Sequence, residues 1–175
     1  MKRLLCSWSA PLVLAGALAV PAFAQAPAAP SAEVVDAMLK KAGVSGTDVV
    51  YVLGSGDGRL AIAAAKDFGV NKVVGVEADA ALVKSAAANA EAAGVAGKVS
   101  FLNQDPAAAA LPGATVMVVN LPQDVNLKIG PKLQIGLEPD SRVVAHGFNL
   151  GDDWWPDETI DVSGSAVFFW KVPYR

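Results

Sequence analysis

Apolar residues along this chain follow two patterns that alternate. Short, nearly continuous apolar runs are typical of strands buried on both faces, whereas apolar residues that recur every three or four positions are typical of helices packed on a core. The helix expected at 125–137 should break or kink at Gly130-Pro131, because proline inside a helix removes a hydrogen bond. The patterns predict strands at 48–53, 72–77, 99–102, 115–119 and 142–145, and helices at 32–42, 60–68, 80–93 and 125–137.

Strands that alternate with helices predict an α/β fold, a doubly wound and mainly parallel sheet with helices on both faces. Two further β runs, at 159–162 and 166–172, are separated by Ser163-Gly164-Ser165, which is a hairpin signal. We therefore expect an antiparallel C-terminal hairpin. The chain shows no internal repeat, so the pattern predicts one domain over residues 31–175, preceded by a short linker at 25–30.

The first 24 residues have the three parts of a secretory signal peptide. Met1-Lys2-Arg3 is a basic start, residues 10–20 are an apolar run, and Ala22-Phe23-Ala24 is a cleavage pattern. We expect cleavage after Ala24 and an exported protein, periplasmic or secreted. The alternative is an uncleaved N-terminal segment that anchors the protein to the membrane.

Composition and charge exclude several classes of protein. The chain has 175 residues, of which 53% are hydrophobic and 18% charged, so it is not intrinsically disordered. One Cys and one His leave no basis for a multi-cysteine or histidine metal site, and we predict no metal. Cleavage would remove Lys2 and Arg3 and leave a net charge of −5, which gives no support to nucleic-acid binding. We expect a monomer without a stable membrane span.

A glycine-rich loop, Leu53 to Arg59 (LGSGDGR), follows the first predicted strand and precedes a helix. Glycines there let a ligand approach the backbone closely, and Glu77, 23 residues after Gly54, ends the next strand, where an acid can bind ribose hydroxyls. A dinucleotide fingerprint requires a small residue at the position of Arg59, which disfavours NAD and FAD. The loop therefore predicts nucleoside binding, and the alternative is an ordinary tight turn.

Together with Asn103-Gln104-Asp105, these residues resemble the motifs of class I S-adenosylmethionine-dependent methyltransferases. The closer resemblance is to a branch that includes the ATP synthase c-subunit lysine methyltransferases and secreted bacterial relatives. The resemblance covers residues 31–173 and implies a Rossmann-like seven-stranded sheet of order 3-2-1-4-5-7-6. Further shared segments are 33–39, 124–127, 131–133, 142–146 and 151–156.

The resemblance also implies which residues bind the cofactor, S-adenosyl-L-methionine. Gly54, Gly56 and Gly58 would face its methionine part, Glu77 would hold the ribose, and Asp105 would meet the adenine amino group. The alternative for Asp105 is a solvated loop acid.

Three positions depart from the family pattern, and two of them lack an acid. Relatives carry an acid where this chain has Val52, two residues before the first glycine, and often an acid where it has Gly147. The missing acid at residue 52 predicts weak cofactor binding, because valine cannot pair with the ammonium group of the cofactor.

The methyl acceptor is expected at the loop after the fourth strand. This loop, residues 120–123, is similar to the loop of amino-group methyltransferases whose polar residue binds the target amine. Asn120 and His146 are the candidate catalytic residues, and Asn120, Pro122 and Trp154 the candidate substrate contacts. The alternatives are an ordinary turn, a structural histidine, and a tryptophan that packs over the terminal hairpin.

Two functions remain open from the sequence. The first is an S-adenosylmethionine-dependent methyltransferase that acts on a protein lysine or a similar amine. The second is an exported, non-catalytic, Rossmann-like module that binds a small molecule or a protein. Export favours the second, since the cofactor is made in the cytoplasm, and the family resemblance favours the first.

Overall fold

A computed structural model describes residues 28–174 of the chain, and the strands among them form one sheet. Its seven strands are β1 Val49–Leu53, β2 Lys72–Glu77, β3 Val99–Asn103, β4 Val116–Val119, β5 Arg142–His146, β6 Glu158–Val162 and β7 Ser165–Lys171. Their order in the sheet is β3-β2-β1-β4-β5-β7-β6. The first five strands are parallel, and β7 is antiparallel to both β5 and β6, so the predicted fold is confirmed.

The helices begin at residues suited to that position. Ser31 accepts a hydrogen bond from the N–H of Val34 at 3.3 Å, and Asp79 accepts one from the N–H of Ala81 at 2.7 Å, so each side chain caps a helix. None of the described helices is long and apolar enough to cross a bilayer. They are α1 Ala32–Lys41, α2 Arg59–Lys66, α3 Ala80–Ala92 and α4 Gln123–Gly136, with a short 3₁₀ helix at Pro106–Ala108.

Side chains alternate across the central strands and fill a core on each face of the sheet. Val50 and Val52 of β1 point toward α1 and α2, whereas Tyr51 and Leu53 belong to the cluster on the α4 side. Trp170 of β7 is fully buried in that second cluster. The result is a three-layer arrangement in which every strand except β7 ends at the same edge of the sheet.

The break predicted in the fourth helix is wrong, because α4 runs through Gly130 and Pro131. A proline removes only one hydrogen bond of such a helix. Gly130 has a different role: a Cβ at this position would collide with the carbonyl oxygen of Leu150 in the loop after β5. The glycine allows that loop to pack directly on the helix.

At the amino end of the parallel strands, a buried carboxylate is fully bonded. Asp48 accepts hydrogen bonds from the hydroxyl of Thr115 at 2.7 Å and from the N–H and hydroxyl of Ser45 at 2.8 and 2.9 Å, and it pairs with Arg142. Arg142 also donates to the carbonyls of the two residues after α1. Burial raises the pKa of Asp48, but these partners outweigh it and leave the pKa below its ordinary value.

The signal peptide predicted at 1–24 and most of the linker at 25–30 lie outside the described residues.

Candidate active site

A cleft of about 550 Å³ opens where β1, β2 and β4 end. Its walls come from the glycine loop after β1, the end of β2, the segment after β3 and the loop between β4 and α4. This is the position at which ligands bind in open α/β sheets, beside the point where the strand order reverses. The predicted site residues that line the cleft are Gly54, Gly56, Glu77, Asp105, Asn120 and Pro122.

Gly54 allows the two halves of the cleft to touch. Its φ of +73° lies in the left-handed region, and a Cβ on it would collide with the carbonyl oxygen of Asn120. Its N–H donates to the carbonyl of Val76 at 3.0 Å, which ties the loop to β2. A side chain at residue 54 would therefore push the β4–α4 loop away from the glycine loop.

Gly56 faces open space. Its φ is +54°, and no atom lies within 4 Å of a Cβ placed on it. Its N–H donates to Oε2 of Glu77 at 3.0 Å. The loop thus leaves a backbone cradle beside an acidic side chain, with room for a ligand.

Glu77 is half-buried at the end of β2, and backbone groups hold both of its oxygens. Oε2 accepts from the N–H of Gly56, and Oε1 accepts from the N–H of Asp79 at 3.2 Å. A carboxylate has about four lone-pair sites. Two sites therefore remain for vicinal hydroxyls of a ribose.

Gly58 lies outside the lining of the cleft and serves packing. It precedes α2 with a φ of +86°, and a Cβ on it would lie 2.9 Å from the ring of Phe101 and 3.0 Å from the Cβ of Ala86. In the dinucleotide fingerprint, a small residue at the position of Arg59 allows the helix to pack closely on the sheet. In this chain Gly58, one residue earlier, has that role.

Asp105 is an exposed acid at the edge of the cleft. Its Oδ1 accepts a hydrogen bond from the N–H of Ala107 at 2.9 Å and caps the short 3₁₀ helix. The side chain is fixed in this way at the position that the resemblance assigns to the adenine end of the cofactor.

The loop after β4 offers acceptors in an apolar setting. The N–H of Asn120 donates to the carbonyl of Leu53 at 2.9 Å. Within residues 28–174, no backbone N–H is bonded to the carbonyls of Asn120 or Leu121. Pro122 and Val125 line the cleft next to them. Two carbonyl oxygens are thus available to a donor that enters the cleft.

His146 lies behind this loop. The residue is buried at the end of β5, is not part of the cleft lining, and has its Nδ1 3.0 Å from Oδ1 of Asn120. Burial lowers the pKa of His146, since a charged imidazole is disfavoured away from water. The structure therefore brings the two candidate catalytic residues together, with Asn120 alone facing the cleft.

Trp154 and Val52 are not brought into the cleft. Trp154 packs on Trp170 with ring centroids 5.8 Å apart, and its carbonyl accepts from the indole N–H of Trp170 at 2.8 Å. This corresponds to the packing alternative stated for Trp154. Val52 is fully buried in the cluster under α1 and α2 and is not among the residues that line the cleft.

Sequence reasoning missed part of the cleft wall. Ala29 and Pro30, predicted as linker, line it, and Arg59 holds them by donating from Nη1 to the carbonyl of Pro30 at 3.0 Å. Arg59 also pairs with Asp57. Leu82 of α3 is another lining residue and is 39% exposed.

The sheet order, the glycine loop after β1 and the acid that ends β2 define a class I S-adenosylmethionine-dependent methyltransferase. Residues 53–158 match the family model of the ANTKMT methyltransferase domain, and the chain belongs to this family. It is 44% identical over 130 residues to a protein-lysine N-methyltransferase of Saccharolobus islandicus (strain REY15A), a match that covers 74% of this chain and 80% of that protein.

Solved structures agree with this assignment. An RNA methyltransferase from Salinibacter ruber, in complex with S-adenosyl-L-homocysteine, superposes with a TM-score of 0.80 at 44% identity, covering 84% of this chain and 95% of that one. A methyltransferase from Thiobacillus denitrificans, bound to the same molecule, shares the fold at 23% identity and a TM-score of 0.60, over 66% and 48% of the two chains.

The cofactor is therefore S-adenosyl-L-methionine, and the residues of the cleft fit it. Gly56 leaves an open cradle for the methionine part, and Glu77 has lone pairs free for the ribose. The volume of the cleft is within the range of small-molecule sites, about 300–1,000 Å³. The methyltransferase is thus supported over the non-catalytic module.

Proposed function

We propose that the protein methylates the side-chain amine of a lysine in a protein substrate. The observation that carries the proposal is that the backbone carbonyls of Asn120 and Leu121 have no backbone partner within residues 28–174, and that the carbonyl of Asn120 lies next to Gly54. A neutral amine has N–H groups that need acceptors while its lone pair reacts, and carbonyl oxygens accept without taking its proton. The name of the Saccharolobus islandicus relative, a protein-lysine N-methyltransferase, supports the same class of substrate.

The apolar lining favours the reactive form of this amine. Leu121, Pro122 and Val125 surround the carbonyls, and an apolar environment disfavours the charged form of a lysine. The cofactor supplies a methyl group activated by a sulfonium. The nitrogen lone pair forms the bond to the methyl carbon while the carbon–sulfur bond breaks, its electron pair staying on sulfur. One proton of the resulting ammonium leaves to solvent.

The remaining residues orient the reactants. Glu77 holds the ribose, Gly56 leaves space for the methionine part, and Gly54 allows the loop between β4 and α4 to contact the glycine loop. Holding two reactants in line is the main contribution that a protein makes to a displacement of this kind. We assign no general base to the cleft.

The charges of the cleft favour a lysine over RNA, although the Salinibacter ruber structure carries the name of an RNA methyltransferase. Glu77, Asp57 and Asp105 are acidic lining residues, and the lining residue Arg59 is paired with Asp57. RNA binding depends on Lys and Arg that neutralise phosphates, and the whole chain has a formal net charge of −3. A negative net charge therefore does not favour the binding of phosphates.

The purified chain tests this proposal with radiolabelled S-adenosyl-L-methionine and three acceptors: a lysine-rich peptide, the same peptide with acetylated lysines, and a mixed RNA. We expect label in the first peptide and none in the acetylated one, because acetylation removes the nucleophilic lone pair. Labelling of the RNA with no label in either peptide would overturn the lysine proposal and leave the methyltransferase assignment intact.

We propose, in addition, that the chain is exported with removal of residues 1–24. The basic start at Lys2 and Arg3, the apolar run that follows and Ala22-Phe23-Ala24 support this proposal. Mass spectrometry of the protein from its native host should find Gln25 at the amino terminus. A mature protein that begins at Met1 or Lys2 would contradict export by cleavage and favour the anchored alternative.

A further inference from the structure

His146, which lies behind the loop between β4 and α4, contacts one side chain of the cleft, that of Asn120. Nδ1 of His146 lies 3.0 Å from Oδ1 of Asn120. The imidazole is 5% exposed, whereas Asn120 is half-buried and lines the cleft. The contact joins β5 to the loop after β4, across 26 residues of sequence.

The two atoms decide the direction of the hydrogen bond. In the orientation that the structure gives the amide of Asn120, its oxygen faces the ring and only accepts, so the ring nitrogen there carries the proton. In a neutral imidazole, the other nitrogen is then unprotonated, and the tautomer is set by the hydrogen bond that the ring makes. With its oxygen engaged, the amide of Asn120 turns its –NH₂ end away from His146.

We propose that His146 is a positioning residue: its neutral Nδ1–H form donates to Oδ1 of Asn120 and so presents the amide –NH₂ of Asn120 to the methyl acceptor. The proposal rests on the proposed function, since it assigns the acceptor to this side of the cleft. The –NH₂ group then donates to an oxygen of the substrate, such as the main-chain carbonyl next to the target lysine. The free carbonyls of the loop remain for the amine itself.

This arrangement gives His146 a role other than that of a base. The side chain does not line the cleft, so it cannot receive a proton from the amine directly. Its nitrogen nearest the cleft already carries a proton that is shared with Asn120. His146 therefore acts through Asn120, and its effect on the reaction should vanish when Asn120 is removed.

The tautomer of His146 can be measured in the absence of any substrate. His146 is the only histidine of the sequence, so ¹⁵N NMR of the imidazole gives a single ring to assign. We expect a protonated Nδ1 and an unprotonated Nε2 at neutral pH in the wild type. In Asn120→Ala the acceptor is gone, and we expect the proton to redistribute toward Nε2. A wild-type ring protonated at Nε2 would overturn the proposal.

A double-mutant cycle tests the functional coupling, with the lysine-rich peptide as acceptor. His146→Leu keeps an apolar side chain of similar size and removes the donor, and we expect kcat/KM to fall about 2- to 10-fold, as for a lost neutral hydrogen bond. His146→Asn places an amide N–H where Nδ1 stood and should recover most of the loss. In the Asn120→Ala background, His146→Leu should change kcat/KM no further.

The outcomes separate this proposal from the proposed function. Additive losses, or an equal loss in His146→Asn and His146→Leu, would show that His146 has only a structural role and would overturn the positioning proposal. If Asn120→Ala leaves kcat/KM and the KM of the peptide unchanged, the acceptor does not meet Asn120, and the placement of the acceptor fails with it. A change in the Kd of S-adenosyl-L-homocysteine alone would assign the amide to the cofactor and also overturn the proposal.

Discussion

Polar side chains gather at both ends of the parallel strands, and the two clusters differ in how fully they are bonded. At the amino end, Asp48 takes hydrogen bonds from three protein groups and pairs with Arg142. At the carboxyl end, Glu77 keeps free lone pairs, and the buried hydroxyl of Ser55 has no partner among residues 28–174. Groups satisfied within the protein stabilise the fold, whereas groups left open are available to a ligand.

This comparison predicts that substitutions at the amino end cost stability and leave binding unchanged. Asp48→Ala leaves Arg142 without its buried partner, and we expect a loss of about 3–5 kcal/mol in the free energy of unfolding, measured by denaturant titration. The Kd of S-adenosyl-L-homocysteine should stay the same for the folded variant. Asp36→Ala is the matched control, since its pair with Lys40 is exposed and should cost at most about 0.5 kcal/mol.

The stabilisation by Asp48 should also depend on pH. Its pKa in the folded protein is lowered, so the contribution is fully present above the ordinary value of 3.8 and is lost as the pH falls below it. The difference in unfolding free energy between wild type and Asp48→Ala should therefore shrink in acid. A difference that stays constant down to pH 2 would contradict the role of the charged carboxylate.

Gly54 should be an exception to this comparison. It lies at the carboxyl end of the strands, yet its substitution should lower the stability of the fold. Gly54→Ala adds a Cβ that collides with the carbonyl of Asn120 and keeps a left-handed φ, and we expect a loss of about 2–5 kcal/mol. Gly56→Ala has the left-handed φ without the collision and should cost about 1–2 kcal/mol. Equal thermal midpoints for the two variants would contradict the contact between the loops.

Substitution of Glu77 should affect cofactor binding more than stability, the reverse of what we expect for Asp48. Glu77→Ala removes the charged acceptor of two ribose hydroxyls, and we expect cofactor binding to weaken by about 1.5–3 kcal/mol in calorimetric titration. The unfolding free energy should change less than in Asp48→Ala. Asp105→Ala, at an exposed acid, should weaken binding less than Glu77→Ala. Undiminished binding by Glu77→Ala would exclude Glu77 as the ribose anchor.

The smallest effect is expected from the protonation of His146. Burial lowers its pKa in the folded protein, so acid protonates the unfolded chain first and stability falls as the pH drops below the ordinary value of 6.5. Between pH 7.5 and 5, the midpoint of denaturant unfolding should decrease more in the wild type than in His146→Asn. The chain has no other histidine to contribute in this window, so equal decreases would contradict the shift.

The sequence predicted the carboxyl end of the sheet better than the amino end. The features at the carboxyl end come from local sequence patterns, whereas the polar cluster at the amino end joins residues far apart in the chain. The strand at 72–77 was predicted with the bounds of β2, and Glu77 with it, from a local apolar run. The glycine loop is likewise a local signal. The pair of Asp48 and Arg142 joins residues 94 positions apart and leaves no pattern in the sequence.

The same reason explains the prediction that was wrong and an alternative that the sequence left open. Gly130 and Pro131 read locally as a helix break, and only the approach of Leu150 explains why a glycine is needed inside α4. For Trp154 the sequence left a substrate contact and packing over the terminal hairpin open, because its contact with Trp170 forms only when β7 enters the sheet. The weak cofactor affinity expected from Val52 stays a prediction, and Val52 itself lies in the buried cluster under α1 and α2.

The place of β7 in the sheet has a consequence for synthesis on the ribosome. β7 is the last of the seven described strands to be translated, yet it lies between β5 and β6, and β6 pairs with β7 alone among the described residues. A nascent chain that ends before Ser165 therefore has an open edge at β5 and lacks Trp170, so it cannot complete its core. Folding of this domain must therefore wait until β7 has been translated, and stalled chains that lack β7 should be cut readily by proteases.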